Sequence, residues 1–365
     1  MKRKNLYTLL VAGVLLIITV LLVMQNKRST FNNGDDDFSV ADTASIKKIF
    51  LADKLDHEVL LEKNENGEWT VNNKYDVRDD AMEVLLSTIK NLSVDRPVSN
   101  KAYNSVIKRL SARSVKVEIY QEVYRIDLFN KIRLFPHVTN TKTYYVGGQT
   151  QSNMGTYMLL EGGDNPYITG LPGFRGFVST RYSAREIDWR SHNVFHEKIN
   201  EIESVNVEFV EEPHKSFEIK NIENRTFKLK NTYENKNVSQ FDTLKVIEYL
   251  TAFREINYEA LLNDMDSVRK DSIISSKPFY VITMKKTDGT TNKVNIFHRG
   301  VDGGDATMVD GKLTYDPDRL YAEINNGEDF VLIQFLSFDN VFRSLQYLTG
   351  EEVIEQKVSP FSRVM

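Results

Sequence analysis

Apolar positions in this chain follow two alternating periods, and the clearest example is the stretch Gly67–Leu92. It opens with a short strand pattern that carries Trp69 and Val71, passes through a polar loop, and then spaces apolar side chains at i, i+3, i+7 and i+10. That second spacing predicts a helix from Asp79 onward with one apolar face. A strand, a loop and an amphipathic helix therefore form one unit.

The same pattern returns about 158 residues later, within Arg225–Phe253. Phe227 and Leu229 take the places of Trp69 and Val71, and a second amphipathic helix follows them. A repeated pattern of this kind predicts one supersecondary unit that is used more than once.

Further strands and helices are predicted in each half of the chain. Residues 115–128 alternate between apolar and charged side chains, which is typical of half-buried antiparallel strands. Each half also has a second predicted helix, at residues 102–110 and 257–270. The predicted fold class is α+β, with two tandem, similar modules at residues 43–195 and 200–348, each an antiparallel sheet with two helices.

Residues 6–24 are nineteen positions without a charge. As a helix with a rise of about 1.5 Å per residue they span the roughly 30 Å hydrocarbon core of a bilayer. A cleaved signal peptide is the alternative, but its apolar region is usually about 7–15 residues long and ends at a small-residue site, which is absent here. Residues 6–24 are therefore predicted to form a transmembrane helix.

Three cations precede this helix and two follow it, so residues 1–5 are expected in the cytoplasm and the bulk of the chain outside it. Residues 25–42 are polar and predict a solvated tether. Residues 349–365 are predicted to form a C-terminal tail.

Composition excludes several classes of site. The chain has no cysteine, so disulfides, thiolate metal sites, a thiol nucleophile and a lipid anchor on cysteine are all excluded. Its formal net charge is −4 although five cations lie within the first 28 residues, so the remainder is more acidic. An acidic surface does not neutralise phosphates, and we expect no nucleic-acid partner.

Three patterns were candidates for ligand sites. The glycine pairs at 147–148 and 162–163 lack the Lys-Ser/Thr ending of a phosphate loop and favour hairpin turns. The acids at 35–37 are adjacent, whereas a calcium loop alternates them. His192 and His196 are four residues apart, but no catalytic glutamate follows the first and no clear third ligand is near. We assign no catalytic residue, metal site or cofactor.

The segment 171–195 has the most distinctive composition, because residues 174–190 within it include four aromatic and four arginine residues. These residue types anchor protein interfaces because they bury large areas and make planar hydrogen bonds. The alternative is a connector whose aromatics pack between the modules and whose arginines form ion pairs. The candidate partner-binding residues are Phe174, Arg175, Arg181, Tyr182, Trp189 and Arg190.

The strand Trp69–Val71, followed by Asp79-Asp80-Ala81 and its helix, resembles the repeating unit of the bacterial domain-of-unknown-function family 4340. The strands at 145–147 and 155–157 and the segment 171–190 resemble the membrane-anchored members found in Gram-negative bacteria. This resemblance implies a single-span protein, encoded in several genomes beside an ABC transporter of the gliding-motility type. It implies no established activity and carries no functional residue over to this chain.

We therefore expect a single-pass inner-membrane protein with its bulk in the periplasm, acting as a non-catalytic accessory or scaffold protein of an envelope complex. The expected partners are inner-membrane or periplasmic protein subunits, and the membrane through its own helix. The alternative is a periplasmic hydrolase or ligand-binding protein acting on envelope polysaccharide or peptidoglycan. Histidines or acid pairs that converge in one pocket would favour that alternative.

Overall fold

The chain divides into two compact units, Met1–Ser191 and His192–Met365. The computed structural model describes residues 11–16, 36–128, 132–222, 226–301, 307–309 and 312–351.

One sheet of nine strands forms the first unit. Its strands are β1 (Ile46–Ala52), β2 (Glu58–Lys63), β3 (Trp69–Val71), β4 (Tyr75–Asp76), β5 (Ser93–Pro97), β6 (Val115–Leu128), β7 (Ile132–Gln149), β8 (Thr156–Leu160) and β9 (Tyr167–Gly170). They lie in the order β4-β3-β2-β1-β6-β7-β8-β9-β5, and every neighbouring pair is antiparallel. Helix α1 (Asp79–Asn91) lies between β4 and β5 in the chain, and α2 (Asn100–Arg113) between β5 and β6.

These two helices cover opposite faces of the sheet. The apolar side of α1 packs into the large core, to which Met158 and Leu160 of β8 also belong. Leu110 of α2 packs in a separate cluster with Tyr157 and Leu159 of the same strand. Successive side chains of a strand point to opposite faces, so the two clusters lie on the two sides of the sheet.

The second unit contains a further nine-stranded sheet and two small ribbons. Its strands are β10 (Asn193–Phe195), β11 (Ile202–Phe209), β12 (Phe217–Ile222), β13 (Thr226–Asn231), β14 (Lys236–Val238), β15 (Ile256–Asn257), β16 (Ala260–Leu261), β17 (Tyr280–Lys286), β18 (Thr291–Phe297), β19 (Thr307–Val309), β20 (Lys312–Thr314), β21 (Arg319–Ile324) and β22 (Asp329–Gln334). The helices are α3 (Thr243–Thr251), α4 (Ser267–Ser275), α5 (Phe335–Phe338) and α6 (Leu345–Thr349). The large sheet has the order β14-β13-β12-β11-β17-β18-β21-β22-β16, while β10 pairs with β15 and β19 with β20.

The two large sheets have the same strand order. β11 to β14 take the places of β1 to β4, the strands β17, β18, β21 and β22 take those of β6 to β9, and β16 takes that of the edge strand β5. The cross-strand register also corresponds, because Leu61 lies opposite Val71 and Ile219 lies opposite Leu229. The predicted α+β class with antiparallel sheets is confirmed.

Helix placement corresponds as well. α3 follows β14 and packs into the large core of its unit. Ile273 of α4 packs instead with Phe297 and Tyr321, whose chain neighbours Ile296 and Ala322 face the large core. The first helix of each unit therefore covers one face of the sheet and the second helix covers the other.

The helix predicted at residues 257–270 is wrong. Within this range the chain forms β15 and β16, and α4 begins only at Ser267, where Asp266 accepts a hydrogen bond from the Arg269 amide at 3.0 Å. The Tyr258 amide donates to the His192 carbonyl and the Glu259 amide donates to the Leu332 carbonyl. These distant partners take the amides that a helix would have used, so tertiary pairing overrides the local apolar spacing.

Two boundaries of the packed units differ from the predicted ones. Phe38 and Val40, which the sequence placed in the tether 25–42, are buried in the core of the first unit. Val194 and Phe195, placed in the first module, are buried in the core of the second unit. In both cases a few apolar side chains next to a polar stretch decide where packing begins.

Both chain ends lie largely beyond the described residues. Within the predicted span 6–24, residues 11–16 are helical and exposed, and the rest falls outside the described residues. In the ranges that the structure covers, no helix combines the length and the apolar character needed to cross a membrane. Of the predicted tail, Thr349 still belongs to α6, and residues 352–365 are not among the described ones.

Candidate functional site

Tyr182 and Trp189 of the predicted contact segment lie inside the first unit. Trp189 is 3% exposed, and its indole Nε1 donates to the Ser183 carbonyl at 2.8 Å. Its own carbonyl accepts from the Arg78 amide at 2.8 Å, which ties the segment to the start of α1. Tyr182 is fully buried and accepts a hydrogen bond from the Tyr144 hydroxyl at 3.3 Å. Both residues hold the segment onto its own unit.

Arg190 is also buried. Its guanidinium carbon lies 3.5 Å from the centre of the Tyr75 ring, and one guanidinium nitrogen lies 3.7 Å from a carboxylate oxygen of Glu186. Glu186 also accepts from the Asn72 amide group at 2.6 Å. A buried arginine needs such partners because an unpaired charge away from water is costly. Arg190 therefore stabilises the fold of the first unit.

Of the other three candidate residues, Phe174 and Arg175 are exposed and Arg181 is half-buried. Pro172-Gly173 forms a turn in which the Phe174 amide donates to the Leu171 carbonyl at 3.0 Å. Gly173 has φ +78°, which glycine adopts at no steric cost and which this kind of turn requires at its third position. The turn leaves the Phe174 side chain 45% exposed.

Arg181 fixes this exposed ring. Its guanidinium carbon lies 5.0 Å from the Phe174 ring centre, and its Nη1 donates at 2.9 Å to the hydroxyl of Thr88, a buried residue of α1. Arg175 is exposed and makes no hydrogen bond or ion pair with the part of the chain that the structure describes. Val84, one helical turn before Thr88, is exposed too. We call Val84, Phe174, Arg175 and Arg181 the Phe174 patch.

A second exposed element was missed by the sequence reasoning. β1 pairs with β6 only as far as Gln121, and β8 pairs with β7 only from Tyr144 onward. Among the residues that the structure describes, β6 and β7 pair beyond these points only with each other, up to the pair Leu128 and Ile132. We call this two-stranded extension, residues 122–128 and 132–141, the β6–β7 arm.

Apolar side chains of the arm face solvent. Leu134, Phe135 and Val138 are 47%, 64% and 50% exposed. Tyr124 lies opposite Pro136 and Ile126 opposite Leu134, and cross-strand partners share a face of the ribbon. In the sequence, the apolar residues Leu134 and Val138 lie at alternate positions, which is the pattern of a strand. Pro136 lies between them and argues against a strand that is paired on both sides. An arm is compatible with proline because its outer edges are unpaired.

The base of the arm holds the start of the packed chain. Lys142 is buried, and its Nζ donates to the carbonyls of Asp37 at 2.8 Å and Ser39 at 2.5 Å. The same ammonium lies 3.1 Å from the Asp37 carboxylate, and burial lowers the pKa of Lys142 below its usual value. Gln121 on the other strand donates to the Asp42 carbonyl at 3.3 Å. Residues 37–42 therefore run past the point where the arm leaves the sheet.

A shallow, open cleft of about 510 Å³ lies along α1, beside Trp69. Its acids, Asp79 and Glu83, are one turn apart on that helix and both are exposed. His192 and His196 do not line it. Residues 193–195 between them form a strand, so their spacing does not place them on one helix face. Among the described residues, no three histidine or acidic side chains are grouped as metal ligands.

A comparison with protein families places the chain. The model of a domain of unknown function, DUF4340, matches residues 69–272, which is more than half of the chain. The protein belongs to the DUF4340 family. The DUF4340 match begins at β3 of the first unit and ends within α4 of the second, and it confirms the resemblance to this family. Searches of curated proteins and of solved structures gave no match for this DUF4340 chain.

Proposed function

We propose that this DUF4340 protein is a single-pass inner-membrane protein whose two units lie in the periplasm. There it acts as a non-catalytic accessory or scaffold subunit of an envelope complex that contains an ABC transporter of the gliding-motility type. The observation that supports a binding role most directly is the Phe174 patch, where an aromatic ring is held toward solvent on a fixed turn.

The patch has the properties of a protein-binding anchor. Aromatic and arginine side chains dominate the binding energy of protein interfaces. Phe174 is already oriented by its turn and by Arg181, so little conformational entropy is lost when a partner covers it. Arg175 adds a cation that has donors available for an acidic or carbonyl partner.

The two units further support a scaffold role. Their identical strand orders are what a duplicated module would have, and each has its own core. The nineteen uncharged residues at 6–24 supply the anchor in this proposal, and a chain packed from Phe38 onward leaves a short tether between them. Anchoring at a membrane raises the effective concentration of membrane-bound partners.

A photo-reactive amino acid in place of Arg175 is expected to crosslink to a discrete membrane or periplasmic protein in native membranes. The matched control is the same probe at Lys108, which is also exposed but lies on α2, on the other face of the same sheet. Crosslinked products are identified by mass spectrometry. Phe174→Ala, combined with the probe at residue 175, should reduce recovery of that protein about tenfold or more, as for a hot spot. Equal products at both positions, or none at residue 175, would contradict the proposal.

The topology is testable because the chain has no cysteine. Ser105→Cys, at an exposed position of α2, is expected to react with a membrane-impermeant maleimide in intact spheroplasts. Asn5→Cys, before the predicted span, should react only after lysis, since positive residues keep that end in the cytoplasm. The reverse pattern would place the two units in the cytoplasm and remove the periplasmic assignment.

A further inference from the structure

The cleft along α1 has a counterpart in the second unit, because both units use the same framework. The N-cap of α1 is Arg78, whose amide donates to the Trp189 carbonyl. The N-cap of α3 is Asp242, whose amide donates to the Leu348 carbonyl in the same way. These N-caps therefore set which positions of the two helices correspond.

Two lining positions differ between the cleft and its counterpart. Glu83 lies five residues after the N-cap of α1, and Ile247 has the same position in α3. Thr43 begins a short 3-10 turn directly before β1, and Ile199 begins the matching turn directly before β11. Ile199 and Ile247 pack against the large core of the second unit. Aliphatic side chains therefore occupy these two positions in the second unit, where the first unit has polar ones.

The floor of the cleft has nevertheless kept its apolar character. Met82 is 3% exposed, and Leu86 and Trp69 are half-buried. The Lys63 ammonium lies 5.1 Å from the Trp69 ring centre and holds the indole in place. The matching residues of the second unit all belong to its core: Val246, Leu250 and Phe227. The cleft is thus suited to an aliphatic side chain from another molecule, which would lose its water contact there.

Charged side chains lie at both ends of this floor. Asp79 and Glu83 are exposed, and their carboxylates make no hydrogen bond or ion pair with any residue that the structure describes. Lys90 is exposed at the other end, roughly 17 Å from Asp79 and 10 Å from Glu83 along the helix axis. The lining therefore complements a ligand with a cation at one end, an anion at the other and an aliphatic group between them.

An extended peptide offers this arrangement at alternate residues. Side chains at i, i+2 and i+4 of a strand share one face, and the outer two are about 13 Å apart. This distance lies between the two spacings on α1. A basic, an aliphatic and an acidic residue at alternate positions would therefore meet the acids, the floor and the lysine together. A neutral saccharide has neither the aliphatic group nor the charges, and it would leave both carboxylates without a cation.

We propose that the cleft along α1 binds an extended segment of a partner protein. A lysine or arginine of that segment pairs with Asp79 and Glu83. Its next residue on the same face is aliphatic and lies on the apolar floor, and the following one is acidic and pairs with Lys90. The site shares no residue with the Phe174 patch and does not depend on the membrane anchor. It is therefore a second contact surface, beyond the proposed function.

Tryptophan fluorescence tests this proposal on the full chain in detergent. Of the two tryptophans, Trp69 lines the cleft and Trp189 is buried in the core. The probe is the peptide acetyl-Arg-Ser-Ile-Ser-Glu-amide, which should change the emission in a saturable manner, and Trp69→Phe should remove this change. A second peptide with glutamine in place of arginine and glutamate should bind about fivefold or more weakly, because two charge pairs are lost.

Two double variants show whether the peptide binds in the cleft. Asp79→Asn/Glu83→Gln should weaken binding of the charged peptide about threefold or more and leave binding of the glutamine peptide unchanged. The matched control is Asp76→Asn/Asp80→Asn, which removes two exposed carboxylates nearby that do not line the cleft. This control should bind both peptides as the unmodified chain does. Equal weakening by the two double variants would overturn the proposal.

A filling variant tests the comparison between the units. Thr43→Ile/Glu83→Ile introduces the two residues that the second unit has at these positions. It should abolish binding of both peptides, while the urea midpoint of the first unit stays the same or rises, because filling an apolar space is stabilising. A folded filling variant that binds the charged peptide as well as the unmodified chain would show that the peptide binds elsewhere.

The remaining outcomes also decide the matter. Emission that does not respond to the charged peptide overturns the proposal. A response to N-acetylglucosamine oligosaccharides and not to the peptide would assign the cleft to a saccharide. Emission that changes with protein concentration in the absence of peptide would assign it to a second copy of the chain. Absence of a membrane anchor, or of a specific crosslink from residue 175, contradicts the proposed function alone and leaves this site unaffected.

Discussion

Replacing Trp189 with alanine is expected to lower the free energy of unfolding of the first unit by about 3–5 kcal/mol, the usual cost of removing a large aromatic side chain from a core. The indole is 3% exposed and packs with the large core. The substitution leaves a cavity and removes the donor to the Ser183 carbonyl. The loss should extend to α1, because the Trp189 carbonyl accepts from Arg78 at the helix start.

Ile187→Ala is the matched control for this substitution. Ile187 is two residues away in the same segment but is 41% exposed, so its removal should cost no more than about 0.5 kcal/mol. The two variants are compared by urea unfolding of the full chain in detergent, with hydrogen exchange of α1 peptides reporting on the first unit. If Trp189→Ala unfolds at the same urea concentration as Ile187→Ala, the segment is not part of the core.

High pH is expected to destabilise both units through four buried tyrosines. Burial raises the pKa of Tyr144, Tyr182, Tyr249 and Tyr280 above 10.0, with desolvation as the largest cause. Tyr144 donates to Tyr182 in the first unit, and the other two both donate to the Val341 carbonyl in the second. The folded chain therefore keeps protons that the unfolded chain releases.

The sign of the effect follows from this difference in proton binding. Below pH 10 these tyrosines are protonated in both states, and their contribution to stability is complete. Above pH 10 the unfolded state loses protons first, so stability falls by about 1.4 kcal/mol per pH unit for each tyrosine. One pH unit above 10 each unit should lose roughly 3 kcal/mol from its pair.

The double variant Tyr249→Phe/Tyr280→Phe isolates this contribution. Comparing it with the unmodified chain at pH 7 gives the cost of the lost hydrogen bonds, which is about 1 kcal/mol for each. Repeating the comparison near pH 11 should show that the variant loses less stability with pH in the second unit, while the first unit behaves as before. An identical pH dependence of the second unit in both proteins would show that these hydroxyls ionise equally in the folded and unfolded states.

Local patterns were sufficient to locate many elements. The apolar spacing after Asp79 predicted α1 and its buried face, and the glycine pair at 162–163 predicted a turn, which lies between β8 and β9. Both features depend on residues within a few positions of one another, through helix periodicity or the positive φ of a turn glycine. The repeated pattern similarly gave two α+β units, since an amphipathic strand or helix buries its apolar side in any fold that contains it.

Composition alone did not show which aromatic and arginine residues are exposed for partner binding and which are buried in the core. The segment 171–195 has one aromatic and arginine-rich composition throughout, yet Trp189 and Arg190 are buried while Phe174 and Arg175 are exposed. Whether such a side chain is buried or held in place depends on a contact with a residue that is distant in the sequence. Arg190 lies on Tyr75, and the Arg181 hydrogen bond joins residues 93 positions apart.

The sequence by itself determined the periodicity of the strands and helices, the family and the absence of cysteine chemistry. Only the tertiary structure decided how far β1 pairs along β6 and how far β8 pairs along β7. These pairings end at Gln121 and Tyr144, and the β6–β7 arm extends beyond them. It also decided which amides in 257–270 pair with distant strands rather than with a helix. The physical reason is that backbone pairing and burial are satisfied across the whole fold, whereas a sequence pattern reports only the preferences of neighbouring residues.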